Sequence, residues 1–362
     1  MIILGIESSC DETAAAIVQD GRHLLSNVIV SQIDIHSEYG GVVPEIAARS
    51  HIEAINPVIH KALTDANLGW DDIDAIAVTY APGLVGSLLV GTLAARALAL
   101  LKNKPLYPIH HVEAHVYANF ITEQSAQEGS PALLLPSKQP EFPMLALIVS
   151  GGHSQLVLFK DHGDYELLGQ TQDDAVGEAF DKVAKILGLP YPGGPSIATA
   201  ALRGDASKYR LPKAKLDNPY NFSFSGLKTA VLRAVQAEVG VDYTFPSHEL
   251  AARLTDTQRD DFAASFQNIA VETLVDKAER AFKDFDPRSV VIAGGVAANQ
   301  ELRRQLSARL PLPIEYAPMQ LCTDNAAMIA ALGYFYAQKH QPSSPFELEV
   351  IPSLSMTKTA WA

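Results

Sequence analysis

A repeated plan of strands and turns constrains the fold of this chain more than any other feature. Residues 2–30 comprise an apolar strand, a small polar turn, a second apolar strand, a turn at Asp20-Gly21 and a third strand, which is the pattern of a β-meander. Residues 144–169 repeat this order. Two weakly similar segments with one plan indicate an internal duplication. The sequence therefore predicts two related lobes.

Helical segments alternate with the strands that follow the first meander. Residues 45–66 have helical periodicity, 73–80 form a buried strand, and the apolar helix 83–101 precedes a short strand at 106–110. A strand, a glycine turn and a helix recur at 289–310. Alternating strands and helices are typical of an α/β fold with parallel strand pairing.

The length of 362 residues suits two domains better than one. We expect lobe I at residues 1–121, completed by a C-terminal helix at about 323–340, and lobe II at residues 144–322. Residues 122–143 are rich in Ser, Pro and Glu, which predicts an exposed insertion. Residues 341–362 are predicted to form a loosely held tail.

Several features favour a cytoplasmic protein. The two cysteines, Cys10 and Cys322, lie far apart, which is typical of a reducing compartment. The N-terminus lacks a basic segment and soon reaches Glu7, which argues against a secretory signal. The apolar run 83–101 is long enough to span a membrane, but it contains Arg96 and several small residues. We interpret it as a helix buried in a soluble core.

The formal net charge is −13, from 28 Lys and Arg against 41 Asp and Glu. Non-specific nucleic-acid binding depends on clustered cations, and the chain has no long basic run. This balance argues against a stand-alone nucleic-acid binder. It is compatible with an enzyme that acts on RNA with the help of partner subunits.

The hexapeptide HHVEAH, residues 110–115, places His111 and His115 four residues apart. On a helix both imidazoles project from one face, a spacing that suits a divalent metal, although packing or surface histidines are an equal alternative. The metallopeptidase pattern HExxH is not met, because Glu113 follows His111 by two residues. Asp324 is either a third ligand or, by its residue type, a helix cap.

Glycine pairs suggest a second kind of site. Gly151-Gly152 lies between two apolar strands, and Gly294-Gly295 ends a strand just before a helix. Each pair lets the backbone approach a phosphate or nucleoside closely, although a lone pair is usually only a turn. Both turns together suggest a nucleotide cleft, while the P-loop motif and the dinucleotide-binding fingerprint are absent.

Two charged features remain open at this point. Residues 173–189 form an amphipathic helix with Asp181 on its polar side, where a solvated face is the simpler interpretation. Lys228 lies in the first turn of a helix entered through Ser225, against the helix dipole. It is either directed at an anion or an ordinary surface lysine.

Taken together, these motifs resemble the TsaD/Kae/OSGEP family of tRNA adenosine threonylcarbamoyltransferases, once labelled glycoprotein endopeptidases. The similarity covers residues 1–337 and is greatest to bacterial-type members. The matching motifs, in chain order, are GIESSCDETAAAIV, YGGVVPEIAARSH, APGLVGSLLVG, HHVEAH, IVSGGHSQL, DDAVGEAFDKVAKILGLPYPGGPS, FSFSGLKT, IAGGVAAN and CTDNAAMIA.

The resemblance implies two duplicated RNase-H-like lobes of the actin, Hsp70 and sugar-kinase superfamily around a central cleft. It implies transfer of a threonylcarbamoyl group from threonylcarbamoyl adenylate to N6 of adenosine 37, in tRNAs that read ANN codons, with release of AMP. Implied partners are an inactive paralogue (TsaB-like) and a small ATPase (TsaE-like). A divalent metal is implied as cofactor, for which two imidazoles and a carboxylate suit iron(II) best, with Zn2+ or another ion chemically possible.

The resemblance also assigns site residues. His111, His115 and Asp324 match the metal ligands, and Asp11 with Glu12 matches an acidic pair implicated in transfer. Positions that match contacts to the substrate are Ile148, Val149, Ser150, Gly151 and Gly152 on the phosphate and threonylcarbamoyl side, and Asp181, Gly194 and Asn299 on the adenosine side.

Two positions depart from the family pattern. Ala114 stands where the family usually has glycine, and Ala198 where some members carry an acidic residue that touches the ribose. Two other functions compete with the transferase. A metallopeptidase leaves the glycine turns unexplained, and an ATP-dependent kinase or ATPase of the same superfamily does not need His111 and His115.

Overall fold

The computed structural model describes residues 1–125 and 132–356. The chain divides into two compact units. The first comprises Met1–Phe142, Phe159–Tyr165 and Glu315–Ala362, and the second comprises Pro143–Leu158 and Glu166–Ile314. Each unit contains a sheet with buried strands and helices packed against it.

The strands of the described residues follow the predicted alternation. Their bounds are β1 (Ile2–Glu7), β2 (Glu12–Gln19), β3 (His23–Ser31), β4 (Ala75–Ala81), β5 (Leu106–His110), β6 (Glu123–Gln124), β7 (Met144–Val149), β8 (Ser154–Asp161), β9 (Asp164–Gln170), β10 (Ser289–Ala293) and β11 (Ile314–Tyr316).

Helices occupy the connections between these strands. The α-helices are α1 (Ile33–Ser37), α2 (Pro44–Asp65), α3 (Val85–Lys102), α4 (His111–Tyr117), α5 (Val176–Leu187), α6 (Gly193–Ala201), α7 (Ser225–Glu238), α8 (Asp256–Phe285), α9 (Gln300–Arg309), α10 (Met319–Cys322) and α11 (Ala326–Lys339). Short 3₁₀ turns lie at Trp70–Asp72, Ala118–Phe120, Ser247–Arg253 and Gly295–Ala298.

The predicted β-meander forms three strands of the first sheet, whose order is β5-β4-β1-β2-β3-β6. β1 pairs antiparallel with β2, β2 antiparallel with β3, and β1 parallel with β4, which pairs parallel with β5. The turn after β2 uses Asp20 and Gly21, both with positive φ (52° and 65°), as a tight hairpin requires. The carboxyl ends of the parallel strands therefore meet at one edge of this sheet.

The second sheet has the order β11-β10-β7-β8-β9. If its strands are renumbered from its own start, this order equals that of the first five strands of the other sheet. The shared order explains the repeated pattern in the sequence. The predicted fold class, a mixed α/β fold of two related sheets, is confirmed.

Helix α3 corrects one expectation. By length and composition it is the one helix among the described residues that could span a membrane. It packs against α2 and β4, and its small residues Gly91 and Ala95 are buried, so that face is buried as predicted. The opposite face is exposed, with Leu89 43% and Leu93 54% accessible. Small side chains bring the helix close to the sheet, and the leucines point away from it.

The segment after α11 is held more firmly than predicted. The Ser343 amide donates to the Leu106 carbonyl at 2.9 Å, and the Ile351 amide to the Tyr80 carbonyl at 3.0 Å. Leu348 is buried in the core of the first unit. Residues up to 356 thus follow the strand ends of that unit, while residues 357–362 lie outside the described residues. Within the predicted insertion, β6 pairs with β3, and residues 126–131 also lie outside the described part.

Candidate metal centre and substrate-binding turns

Helix α4 places the two histidines of the HHVEAH motif on one buried face. The helix is entered directly from β5, and the His110 ring caps it by accepting a hydrogen bond from the Glu113 amide at 3.4 Å. His111 and His115 are 8% and 2% exposed, and their ring centroids lie 4.7 Å apart. The predicted helical spacing is therefore realised, with both rings directed inwards.

Asp324 lies against both imidazoles. Its Oδ1 is 3.5 Å from His111 Nε2 and 3.2 Å from His115 Nε2. The cap of α11 is Asn325, whose Oδ1 accepts from the Met328 amide at 3.1 Å. The alternative interpretation of Asp324 as the helix cap is therefore wrong.

The three side chains have the chemistry of a divalent metal site. One ligand atom from each of His111, His115 and Asp324 lies within 4.8 Å of the others. Neither ring nitrogen of His115 has a hydrogen-bond partner among the described residues, although Nε2 lies near Asp324. A buried imidazole without partners is costly unless something else binds it. Two imidazoles and one carboxylate fit a bound cation, and the cation would give the unpaired ring of His115 a partner.

Glu7, which the sequence interpretation did not assign to the site, orients His111 from behind. Its carboxylate is fully buried at the end of β1 and lies 3.0 Å from His111 Nδ1. Thr79 Oγ1 and the Ser9 amide also donate to it, at 2.5 and 2.6 Å. Because a carboxylate only accepts, we assign a proton to Nδ1, which leaves Nε2, on the side of Asp324 and His115, as the nitrogen that can bind a cation. A charged residue in an otherwise apolar strand was the available signal.

Proton affinities in this cluster follow from its buried charges. Burial would lower the pKa of His111, yet Asp324 and Glu7 raise it to about 9. Burial would raise the pKa of Glu7, but His111 holds it below its usual value. When no cation is bound, His111 is therefore protonated, and its positive charge lies between the carboxylates of Asp324 and Glu7. Metal binding has to displace this proton.

The acidic pair lies at the start of β2 in the same unit. Burial, Asp324 and Asp11 together raise the pKa of Glu12 to about 10. Glu12 is thus protonated at neutral pH, with Ser31 Oγ 3.3 Å from its Oε1. Burial also raises the pKa of the neighbouring Cys10 thiol, which makes it a poor nucleophile. Both raised pKa values favour the protonated forms of Glu12 and Cys10 at neutral pH.

The glycine turn of the second unit connects β7 to β8. Ile148 and Val149 are the last residues of β7, and the Ser150 amide donates to the His153 carbonyl at 2.8 Å. A β-carbon placed on Gly151 or Gly152 would meet no atom within 4 Å. Open space therefore surrounds the backbone at both glycines, as close approach of a ligand requires.

Neighbouring elements of the second unit converge on this turn. A β-carbon on Gly177, in the first turn of α5, would lie 2.6 Å from the Ser150 carbonyl oxygen, so only glycine fits. Gly294 has φ 88°, and a β-carbon there would lie 2.4 Å from the Val149 carbonyl oxygen. The ends of parallel strands β7 and β10 thus bring both predicted glycine turns together.

The predicted adenosine-side residues lie on the helices that follow. Asp181 Oδ1 accepts from the Gly193 amide at 2.7 Å, and burial raises the pKa of this carboxyl. A β-carbon on the adjacent Gly194 would meet nothing within 4 Å. Asn299 caps α9 by accepting from the Leu302 amide at 3.0 Å, and its amide group donates to Gln267. Its side chain therefore has a structural role in addition to any contact with a ligand.

Lys228, which the sequence left open, pairs with a carboxylate. Its Nζ lies 3.2 Å from Oδ2 of Asp174. The other oxygen of this carboxylate, Oδ1, pairs with Lys182. The charge of Lys228 is therefore already balanced within the second unit.

The metal and acidic candidates all lie in the first unit, and the substrate candidates all lie in the second. Fold and site together define an α/β protein with two sheets of equal strand order and a candidate metal centre in its first unit. In agreement, a solved structure of HypF from T. kodakarensis superposes with a TM-score of 0.60 at 13% identity, over 93% of this chain and 48% of that one.

Sequence comparison identifies the family. Residues 23–331 match the family model described as TsaD, tRNA N6-adenosine threonylcarbamoyltransferase. A protein of that name from Thermomicrobium roseum is 51% identical over 94% of this chain and 93% of its own length. Another, from Bacillus subtilis, is 46% identical over 99% and 96%. The chain belongs to the TsaD family of tRNA N6-adenosine threonylcarbamoyltransferases.

Proposed function

We propose that this enzyme transfers the threonylcarbamoyl group of threonylcarbamoyl adenylate to N6 of adenosine 37, in tRNAs that read ANN codons. The N6 nitrogen forms a bond to the carbamoyl carbon. The bond between that carbon and the phosphate oxygen breaks, and AMP leaves with the electron pair. One N6 proton passes to a base.

The observation that carries this proposal is similarity over nearly the whole length to relatives of one activity, all named as tRNA N6-adenosine threonylcarbamoyltransferases. The similarity includes both units and therefore both groups of candidate residues. The geometry supports it independently, since a kinase or ATPase has no need for a buried pair of histidines beside an aspartate.

The second unit is proposed to hold the adenylate. Open backbone at Gly151 and Gly152 can approach the phosphate, with N–H groups that stabilise charge on the leaving oxygen. Asp181 and the open backbone at Gly194 are proposed to contact the adenosine, and Asn299 contributes from the cap of α9. Adenine N6 is a weak nucleophile because its lone pair is delocalised, so positioning accounts for much of the rate.

The first unit is proposed to supply the acid–base groups. Asp11 accepts the N6 proton, because the raised pKa of Glu12 favours its protonated form, which can donate a hydrogen bond but does not take up a further proton. His111, His115 and Asp324 hold the metal, and the bound ion would polarise and orient the carbamoyl carbonyl. Glu7 keeps the His111 ring in the tautomer that the site requires.

We propose iron(II) as the metal of this centre. His111, His115 and Asp324 would hold it, because two imidazoles and one carboxylate are the donor set that non-haem iron(II) uses. Zn2+ accepts the same ligands but prefers a tetrahedral set, with one open position.

Partners are proposed to compensate for the charge of the chain. A net charge of −13 disfavours tRNA binding by this subunit alone, so an inactive paralogue and a small ATPase would supply the missing contacts. The exposed apolar face of α3, with Val85, Leu89 and Leu93 in line, is a suitable surface for the paralogue. We place the complex in the cytoplasm, where its tRNA substrates occur.

Synthetic threonylcarbamoyl adenylate, unmodified tRNA and the partner proteins test the proposal, with the modified nucleoside measured by mass spectrometry. The complete reaction should give product, and His111→Ala should lose both metal and product. The matched control is His60→Ala, an exposed histidine on α2 that should keep both. Undiminished transfer by His111→Ala would end the metal-centred mechanism.

The competing functions make different predictions in the same preparation. Steady ATP hydrolysis by the purified chain without tRNA would favour a kinase or ATPase. Chelator-sensitive cleavage of a glycoprotein would favour a metallopeptidase. Absence of the modified nucleoside in the complete reaction would refute the transferase.

A further inference from the structure

A chain of buried polar side chains in the first unit lies outside the metal centre and the acidic pair. Its members are Thr13, Gln32, His36 and His51, each at most 3% exposed. Buried polar groups are costly unless they are paired, so a connected set of four in one region indicates a specific role. The network begins beside Asp11 and Glu12.

His51, on α2, makes two hydrogen bonds that flank the acidic pair. Its Nδ1 lies 2.7 Å from Thr13 Oγ1, and its Nε2 lies 3.0 Å from the carbonyl oxygen of Cys10. Gln32 Nε2 also lies 3.5 Å from His51 Nδ1, which connects His51 to the rest of the network. Cys10 immediately precedes Asp11, and Thr13 immediately follows Glu12. One imidazole therefore holds the backbone on one side of the two carboxylates and a side chain on the other.

The hydrogen bonds define the state of this imidazole. The Cys10 carbonyl only accepts, so Nε2 carries the proton, and Nδ1 accepts from the Thr13 hydroxyl. Burial lowers the pKa of His51, which favours the same neutral form. Ser87 Oγ on α3 also donates to the Cys10 carbonyl, at 3.1 Å. Without His51, the Cys10 carbonyl would keep Ser87 as a donor. The Thr13 hydroxyl would lose the nitrogen that accepts its hydrogen bond.

The other end of the network reaches the segment 32–43. His36 Nε2 lies 3.2 Å from Gln32 Oε1, and the Val43 amide donates to His36 Nδ1 at 3.3 Å. The backbone N–H of Gln32 donates to the Asp11 carbonyl oxygen at 3.0 Å. The segment 32–43 and the acidic pair Asp11 and Glu12 are therefore held by one buried network, to which Gln32 and His36 belong.

We propose that His51 is a positioning residue that holds Asp11 and Glu12 for the transfer reaction, with Gln32 and His36 extending this hold to the segment 32–43. The role in transfer rests on the proposed function. Asp11 and Glu12 lie between Cys10 and Thr13 in the chain, so the placement of both carboxyl groups depends on the restraint that His51 imposes at these two flanking residues. A displacement of about 1 Å at a catalytic group lowers a rate by about 100-fold.

Three substitutions separate the two hydrogen bonds. His51→Ala removes both. His51→Gln places an amide nitrogen near the original Nε2 and can still donate to the Cys10 carbonyl. His51→Asn places an oxygen near the original Nδ1 and can still accept from Thr13. The matched control is His60→Ala, on the exposed face of the same helix.

Single-turnover and steady-state assays with threonylcarbamoyl adenylate and tRNA measure the consequence. We expect kcat to fall by about 10- to 100-fold in His51→Ala, with KM for tRNA within about threefold of the wild type. His51→Gln and His51→Asn should each recover part of kcat. Equal kcat in all variants and the wild type would overturn the proposal.

Hydrogen exchange gives a result that does not depend on activity. Amides of residues 10–14 and 32–43 should exchange about 10-fold faster in His51→Ala, with other segments and metal binding by titration calorimetry unchanged. Unchanged exchange in these two segments, or loss of protection throughout the unit in all three variants, would overturn the positioning role. If the wild type itself makes no product, the proposed function fails, whereas the exchange result still decides whether His51 holds the acidic turn.

Discussion

The most informative perturbation is the replacement of His115 by leucine. The ring is 2% exposed, and neither of its nitrogens has a hydrogen-bond partner among the described residues, although Nε2 lies 3.2 Å from Asp324 Oδ1. A buried unsatisfied polar group costs about 1–3 kcal/mol. A hydrophobic side chain of similar volume costs less than about 1.5 kcal/mol in shape mismatch. In the absence of metal, His115→Leu should therefore be between neutral and about 2 kcal/mol more stable than the wild type.

When metal is present, the wild type should be more stable than His115→Leu. At a free metal concentration of 100 Kd, a single site stabilises the native wild type by about 2.7 kcal/mol. For a unit of this size, that corresponds to an increase in Tm of about 5–10 °C. The variant lacks one of three ligands and should gain almost nothing. A residue that stabilises only with metal is the signature of a binding site.

Thermal unfolding under anaerobic conditions measures both effects, first with chelator and then with iron(II). The control is His60→Leu, which should match the wild type in both conditions because His60 is exposed and distant in sequence from the ligands. If His115→Leu is destabilised by more than about 2 kcal/mol in chelator, the ring is a packing residue. If the variant keeps the full metal-dependent increase in Tm, His115 is not a ligand.

Three further predictions follow from the first unit. Glu7→Gln should lower metal affinity by about 10- to 100-fold, because His111 loses the carboxylate that orients it; unchanged affinity by titration calorimetry would contradict this. Gly5→Ala should also weaken metal binding, because its β-carbon would lie 2.3 Å from the Ala326 carbonyl oxygen and displace the start of α11; wild-type affinity would show that α11 does not set the site. Burial lowers the pKa of His162 from 6.5 to about 4, so the unfolded chain binds more protons between these values and stability should fall as pH drops from 6.5 towards 4. His162→Phe should weaken this pH dependence, which urea unfolding at pH 7 and pH 5 measures; an identical dependence would exclude His162 as its source.

Local patterns in the sequence were sufficient to predict most elements of the fold. The meander at residues 2–30 and its repeat at 144–169 have strand periodicity and turn residues, and both features depend only on neighbours in sequence. The same holds for the helix predicted at 45–66, which is observed as Pro44–Asp65. The identical strand order of the two sheets follows from the duplication.

Features that depend on distant contacts were not predictable in this way. The tail was expected to be loosely held, but its backbone hydrogen-bonds to Leu106 and Tyr80. Such pairing depends on which strand ends lie nearby. The outward leucines of α3 are similar, since an apolar run has no marker for the face that remains exposed.

At the metal site, too, the features set by neighbours in sequence could be predicted, and those set by distant contacts could not. Three residues before α11, Thr323, Asp324 and Asn325, are all good cap types, so the sequence alone could not choose among them. The backbone makes Asn325 the cap and directs Asp324 to the histidines. The histidine pair was visible as a motif, whereas the third ligand required either a family resemblance or a structure.

The metal centre is consequently a property of packing rather than of the HHVEAH motif alone. Helix α4 has seven residues, too few to be stable in isolation, so its histidines are placed by the burial of the whole helix. Helix α4 follows the parallel strand β5 and packs against α11, whose first residue, Ala326, lies against β1 at Gly5. Because Gly5 has no side chain, α11 can start close to the sheet, and Asp324 then lies beside ligands that precede it by more than 200 residues. The same two histidines on a solvent-exposed helix would lack this third ligand and would bind a metal more weakly.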